Sequence, residues 1–322
     1  MSEIEFRRAI FEALDEELAR DPAVVHFGED IAAAGGVFAV TKGLAERHGE
    51  RVFDTPISEL ALIGAAYGSA INGLRPVLEI MFGDFLPLVM DGVINQAAKF
   101  WYVSNGQGTC PLVIRSAVGG GVRFGAIHSQ MPAPWFQNVP GLKIVAPALP
   151  GDAKGLLLSA IRDDNPVLFL EHKHLYGVKG PAGTGEAIPL GVAAVVRAGS
   201  DLTIATAMKS VHEALAAADE LAGDGIDCEV IDLRTLRPFD VPAVVQSVER
   251  TGRLLVVEEA PRTGGWAGEL LAEVAERAIG SLDDIWRLAT PDHPIPFSPP
   301  LEDAFFVNAK AIAASVRSRL GR

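Results

Sequence analysis

Cysteine is scarce: Cys110 and Cys228 are the only two in 322 residues, each set in apolar surroundings (GTCPLVIR and GIDCEVIDL), with no C-x-x-C. A disulfide framework and a zinc site are both disfavoured on those grounds, and a reducing cytoplasm is the natural compartment. Positive charge is also short, with 28 Lys and Arg against 41 Asp and Glu, a formal charge of −13. Without a basic excess to neutralise phosphates, the sequence does not read as a nucleic-acid binder. Long apolar runs are missing too, and nothing reads as spanning a membrane. The opening MSEIEFRRAIFEALDEELARD lacks a leader's apolar core and reads as an amphipathic helix.

What is present is ordinary globular material, 49% hydrophobic and 21% charged, in a chain long enough for two domains. Apolar runs at 24–27, 51–54, 76–81, 112–115, 143–146 and 167–171 read as strands, with helical patterns at 59–71, 85–102 and 152–161 between them. A glycine- and proline-rich stretch, GVKGPAGTGEAIPLG, then interrupts the pattern and reads as a connection. Alternation resumes with strands at 202–206, 228–233, 254–258 and 285–288, and helices at 210–222, 242–250, 268–279 and 308–320. The expected fold is α/β: a first domain over 1–176, a linker over 177–191 and a second domain over 192–322. Each is a mostly parallel sheet flanked by helices.

Open parallel sheets bind ligands just past the carboxyl ends of their strands. In the first domain those positions are Gly28-Glu29-Asp30, the stretch 54–59, Phe82-Gly83-Asp84-Phe85 and the long segment 116–130. Glu59 opens a helix, with Thr55 or Ser58 available as cap, and by position alone reads as an acid complementing the helix dipole. SAVGGGVRFGAIHSQ is neither a Walker loop nor a dinucleotide fingerprint, but its glycines let backbone approach a ligand and it ends on a titratable His128. Phe82, Phe85, Trp101 and Tyr102 read first as core aromatics. His172-Lys173-His174 lacks a third ligand and does not read as a metal site.

Taken together, GED at 28–30, FDTPISE at 53–59, GLRPVLEIMFGDF at 73–85, INQAAKF at 94–100 and HSQ at 128–130 carry a resemblance. PGLKIVAP at 140–147, LEHKHLYG at 170–177 and IDLRTLRPFD at 231–240 extend it. In this order, from about Ile4 to about Leu320, the chain resembles the β subunit of thiamine-diphosphate-dependent 2-oxo acid dehydrogenases, of the pyruvate and acetoin types. The resemblance implies a pyrimidine-binding domain followed by a transketolase C-terminal-like domain. It also implies an α2β2 heterotetramer in which the α subunit holds the diphosphate and magnesium. Glu59 then matches the carboxyl that shares a proton with N1′ of the aminopyrimidine and so drives deprotonation of thiazolium C2. Phe85 matches the aromatic that stacks on that ring, Glu29 a pocket acid beside it, and His128 a histidine near the reactive carbon. Leu112, Ala160, Ile161, Asp163 and Asn165 fall on positions that enclose potassium.

The function so implied is decarboxylation of a 2-oxo acid such as pyruvate, or cleavage of acetoin, with acyl transfer to lipoamide. The partners implied are a dihydrolipoyl acyltransferase core and its lipoyl domain. The competing readings are a branched-chain 2-oxo acid dehydrogenase β subunit and a non-catalytic α/β binding module. Gly223-Asp224-Gly225 opens like the family's diphosphate motif but lacks the downstream asparagines, and reads as a helix-terminating turn. Arg234, Arg237 and Glu258-Glu259 read as a dimerisation and docking platform.

Overall fold

A computed structural model describes residues 3–321. The strands in chain order are β1 Glu3–Glu5, β2 Val24–Gly28, β3 Val52–Asp54, β4 Arg75–Phe82, β5 Val113–Val118, β6 Lys143–Val145, β7 Val167–His172 and β8 Lys179–Pro181. They continue with β9 Ala194–Arg197, β10 Leu202–Thr206, β11 Cys228–Asp232, β12 Thr235–Arg237, β13 Arg253–Pro261 and β14 Asp284–Thr290. One seven-stranded sheet has the order β12-β6-β7-β5-β4-β2-β3, parallel except at β12. A second, five-stranded sheet runs β14-β13-β10-β11-β9, parallel except at β9. The fold is thus two mostly parallel sheets flanked by helices.

Central strands of a sheet covered on both faces are mostly apolar; β5, β7, β10 and β11 are buried at every position, and the charged residues among them, such as Arg115 and Glu171, are paired. Helix Phe6–Arg20 places Phe6, Ile10, Leu14 and Leu18 on one stripe, which packs with Leu156, Leu157 and Ile161 of helix Pro150–Arg162. Stretch 177–191 is anchored rather than loose. Its β8 pairs antiparallel with β1, and Ile188 exchanges hydrogen bonds with the Gly155 carbonyl and the Ser159 hydroxyl.

Two expectations are corrected. Stretch 85–102 is not one helix: short helices Leu86–Asp91 and Phe100–Val103 flank a wide π turn at Gly92–Gln96 and a tight turn at Ala97–Lys99. Gly92, at the start of the π turn, lies so close to Ile63 that a Cβ there would overlap its side chain, an approach only glycine allows. Beyond that break Trp101 and Tyr102 point outward, 55% and 79% exposed, and are not core. Arg234, Arg237 and Glu258-Glu259 also make bonds within the chain. Arg234 grips Asp152 with two hydrogen bonds of 2.7 and 2.9 Å, and Arg237 donates to the Gln137 carbonyl. Glu258 caps helix Ala267–Ala278 by accepting the Ala267 N–H, and Glu259 takes the Gly120 N–H and His172. The Gly223-Asp224-Gly225 turn ends helix Lys209–Ala222, with Gly225 at a positive φ of 72°.

Candidate active site

The parallel register puts the ends of β3, β2, β4 and β5 side by side, so the four loops singled out in the sequence meet at one edge. Gly28 closes β2 with its Cα hard against Glu79 of β4, where a Cβ would lie 2.7 Å from the Glu79 carbonyl oxygen. Only glycine allows that approach, and the next residue, Glu29, is thereby turned into the edge. Glu29 is 7% exposed and its Oε1 has no hydrogen-bond partner. Burial pushes its carboxyl above the usual range, the Glu59 charge adds to this, and a backbone hydrogen bond from Ser58 opposes it.

Glu59 opens helix Glu59–Ala70 and is half-buried. The expected capping is not made: Ser58 occupies the cap without a side-chain bond, and the buried Thr55 Oγ1 is unpartnered. Two carboxyls therefore face one another across the ends of β2 and β3.

The second half of the edge is aromatic. The His128 ring lies edge-on to Phe82 and Phe85, with centroids 4.9 and 5.5 Å away, and Phe82 and Phe85 meet edge-to-face at 5.9 Å. The loop carrying His128 leaves β5 through Gly119, at φ +81°, and Gly120, where a Cβ would overlap the Phe306 ring. It closes on itself through Gly119 N–H to the Gln130 carbonyl, and Gln130 donates twice to Asp84 Oδ1. The other lobe holds its near arm: Gly120 N–H bonds Glu259 at 2.8 Å, and Gly121, Arg123 N–H and the Arg123 guanidinium bond Glu302.

Lys173, which the sequence reading set aside, sits beneath this loop. It is 4% exposed, donates to the His128 carbonyl, and lies 5.4 Å from the Phe82 ring centre and 5.8 Å from that of Phe124.

Four of the eight buried side-chain atoms without a partner among the described residues belong to this edge: Glu29 Oε1, Thr55 Oγ1, Asp84 Oδ2 and Ser129 Oγ. Buried polar groups are ordinarily paired, so this concentration marks a place built for an absent polar ligand. Its chemistry suits a flat heteroaromatic ring, with carboxyls for ring nitrogens and aromatic faces for stacking. It does not suit a diphosphate: Arg123 is committed to Glu302 and Asp303, and Lys173 to His128.

The positions expected for potassium lie at the opposite, amino-terminal end of β5 and β7. There the Leu112 carbonyl accepts from Val167, and the carbonyls of Ile161 and Asp163 accept from Arg75 at 3.0 and 3.1 Å. Asp163 pairs with Lys143 and accepts the Asn165 N–H, and the Ala160 carbonyl accepts the Asp163 N–H. These carbonyls serve the chain's own donors. Among the described residues, no group of three His, Cys, Asp or Glu side chains could hold a metal ion. No described helix is long and apolar enough to cross a membrane.

Fold and edge together define a two-domain protein of the transketolase type. Residues 2–179 match the transketolase pyrimidine binding domain, and residues 191–312 match the transketolase C-terminal domain. The chain is similar to the acetoin:2,6-dichlorophenolindophenol oxidoreductase subunit beta of Cupriavidus necator, at 48% identity over 98% of this chain and 97% of that one. It is also similar to the Bacillus subtilis pyruvate dehydrogenase E1 component subunit beta (46%, 99% of each) and 2-oxoisovalerate dehydrogenase subunit beta (44%, 98% of each). A solved split gene transketolase, described as an inactive beta4 tetramer, has the same fold, with a TM-score of 0.82 over 98% of each chain at 23% identity. The chain belongs to the family of E1 β subunits of thiamine-diphosphate-dependent 2-oxo acid and acetoin dehydrogenases.

Proposed function

We propose that this chain is the β half of an α2β2 enzyme that decarboxylates a 2-oxo acid such as pyruvate, or cleaves acetoin, and passes the acyl group to lipoamide. The observation that carries the reading is the edge itself, with its unpaired Glu29, Thr55, Asp84 and Ser129 atoms beside Glu59, Phe85 and His128. Bound there, thiamine diphosphate would supply a nucleophilic thiazolium C2 and a cationic ring able to act as electron sink.

Glu59 is the group to hold a proton at N1′ of the aminopyrimidine, because it is a half-buried carboxyl at a strand end with no cap to serve. Glu29, whose carboxyl is pushed above the usual range by burial and by the Glu59 charge, is the second pocket acid beside the ring. Phe85 offers its ring as a stacking face. His128, held between two aromatic rings, gives or takes a proton during acyl transfer. The diphosphate and magnesium fall to the α subunit.

The rim supports a partner. Ile57, Leu60 and Ile127 flank the site residues in the chain and are 81%, 66% and 69% exposed. Large apolar side chains around a polar pocket are the signature of a surface awaiting a subunit. Two free, buried cysteines suit the cytoplasm as the place of work.

The test is calorimetry of thiamine diphosphate with magnesium. The purified chain alone is expected to bind weakly and the reconstituted αβ complex tightly. Tight, magnesium-dependent binding by the chain alone would overturn the half-site. A panel of pyruvate, branched-chain 2-oxo acids and acetoin on the complex then identifies the substrate.

A further inference from the structure

Lys173 has no part in that reading, yet it occupies an expensive position. An ammonium that is 4% exposed loses most of its hydration, and the usual compensation is a direct carboxylate partner. Lys173 has instead a backbone carbonyl, that of His128, together with the faces of Phe82 and Phe124.

The loop it touches has little restraint of its own. Gly119, Gly121, Arg123 and Gly125 all have positive φ, and glycine confers the most backbone freedom of any residue. Glu259 and Glu302 pin the near arm at Gly120, Gly121 and Arg123, and Asp84 pins the far end at Gln130. Between those anchors, the side-chain hydrogen bond to the backbone of His128 comes from Lys173.

We infer that Lys173 is a positioning residue: it clamps the His128 backbone to the end of β7 and so holds the imidazole between Phe82 and Phe85. The inference rests on the catalytic reading of His128 given above. Lys173 can do this as a cation because acids face it from three elements: Asp84 after β4, Glu259 on β13 and Glu302 on helix Pro299–Phe305. Burial pushes its ammonium down to about 8, and those three carboxylates act against the fall. His172 on the same turn supports the clamp by a second route. Its Nδ1 accepts the His174 N–H, so Nε2 carries the proton and donates to Glu259, the acid that holds Gly120.

The experiment compares Lys173→Met and Lys173→Arg with the unaltered full-length chain. Amide hydrogen exchange, measured without cofactor, should speed up about tenfold or more in peptides covering 125–130 for Lys173→Met. Helix Lys209–Ala222 should be unchanged, and Lys173→Arg should restore most of the loop's protection. In the reconstituted complex, Lys173→Met should lower activity with lipoyl domain about tenfold while proton exchange at C2 of the bound cofactor stays within about threefold. Adding Lys173→Met to His128→Ala should cost nothing further, because the lysine acts through the histidine. Unchanged loop exchange in Lys173→Met, or fully additive losses in the double variant, would overturn the clamp. A His128→Ala enzyme with normal activity would overturn the role of His128 instead, and loop exchange would still decide whether Lys173 holds the loop.

Discussion

At the carboxyl edge of the first sheet, Glu29, Thr55, Asp84 and Ser129 each leave a buried polar atom without a partner, and Phe85 and His128 lie half-buried beside one another. At the corresponding edge of the second sheet, acids are as plentiful but are engaged. Asp232 accepts the Arg234 N–H at 3.0 Å, Glu258 caps a helix, and both oxygens of Glu259 are bonded to the first lobe. Asp232 and Glu258 each keep one bare oxygen, but burial pushes both carboxyls up to about 7, the range in which they are held substantially neutral. One architecture thus yields a ligand edge in one lobe and an anchor in the other. The chemistry resides where side chains are left unpaired, and the second sheet serves it by holding the loop that carries His128.

The sharpest way to break the comparison is to disturb the floor of the first edge. Arg115, fully buried on β5, bonds Glu79 at 2.7 Å and Glu171 at 2.7 and 2.9 Å, and Tyr176 donates to the same Glu171. Arg115→Met would strand two buried carboxylates and should cost about 3–5 kcal/mol in denaturant unfolding. A loss below about 1 kcal/mol would mean that water reaches this floor.

A smaller effect should come from the second edge and depend on pH. Asp232 and Glu258 have folded-state values raised to about 7 from 3.8 and 4.5. The folded protein therefore binds more protons than the unfolded chain over that window. Their contribution is full below about pH 4 and is lost as the pH rises through about 7. Asp232→Asn should accordingly gain stability relative to wild type on going from pH 4 to pH 8, by about 1–3 kcal/mol in paired urea titrations. A pH-independent difference would show that Asp232 is solvated.

Weaker still should be the loss of a clamp between the lobes. Arg234→Ala removes two charge-assisted bonds to Asp152 and should cost about 1–2 kcal/mol in thermal unfolding, with cofactor affinity of the complex unchanged. The smallest contrast is kinetic. His128→Ala should depress lipoyl-dependent turnover about tenfold more than decarboxylation assayed with an artificial electron acceptor. Equal losses would move His128 to the decarboxylation step.

Much of this was legible in the sequence, for physical reasons. Buried parallel strands are rich in apolar residues, so stretches such as 167–171 and 202–206 announce themselves. Loop positions at strand ends located Glu29, Glu59, Phe85 and His128, but their roles came from family resemblance, since a first-turn glutamate alone reads as a helix acid. What stayed hidden depends on distant contacts. β12 is three residues long and joins the first sheet antiparallel to β6, a pairing that no local pattern encodes. The helix break begins at Gly92, which packs against the distant Ile63, and Trp101 and Tyr102 face outward beyond it. In the sequence Lys173 stands out only as the centre of a His-Lys-His triplet without a third ligand, because its partner is a backbone carbonyl 45 residues away.

The central claim is that the first edge receives the aminopyrimidine and that Glu59 acts on it. The most direct measurement is hydrogen–deuterium exchange at C2 of thiamine diphosphate in the reconstituted αβ complex, comparing wild type with Glu59→Gln. A glutamine keeps the size and can still hydrogen-bond but cannot exchange a proton with N1′. The account predicts exchange slowed by at least about two orders of magnitude, with assembly intact and cofactor still bound. Wild-type exchange rates in Glu59→Gln would contradict it and leave Glu59 as no more than the first acid of its helix.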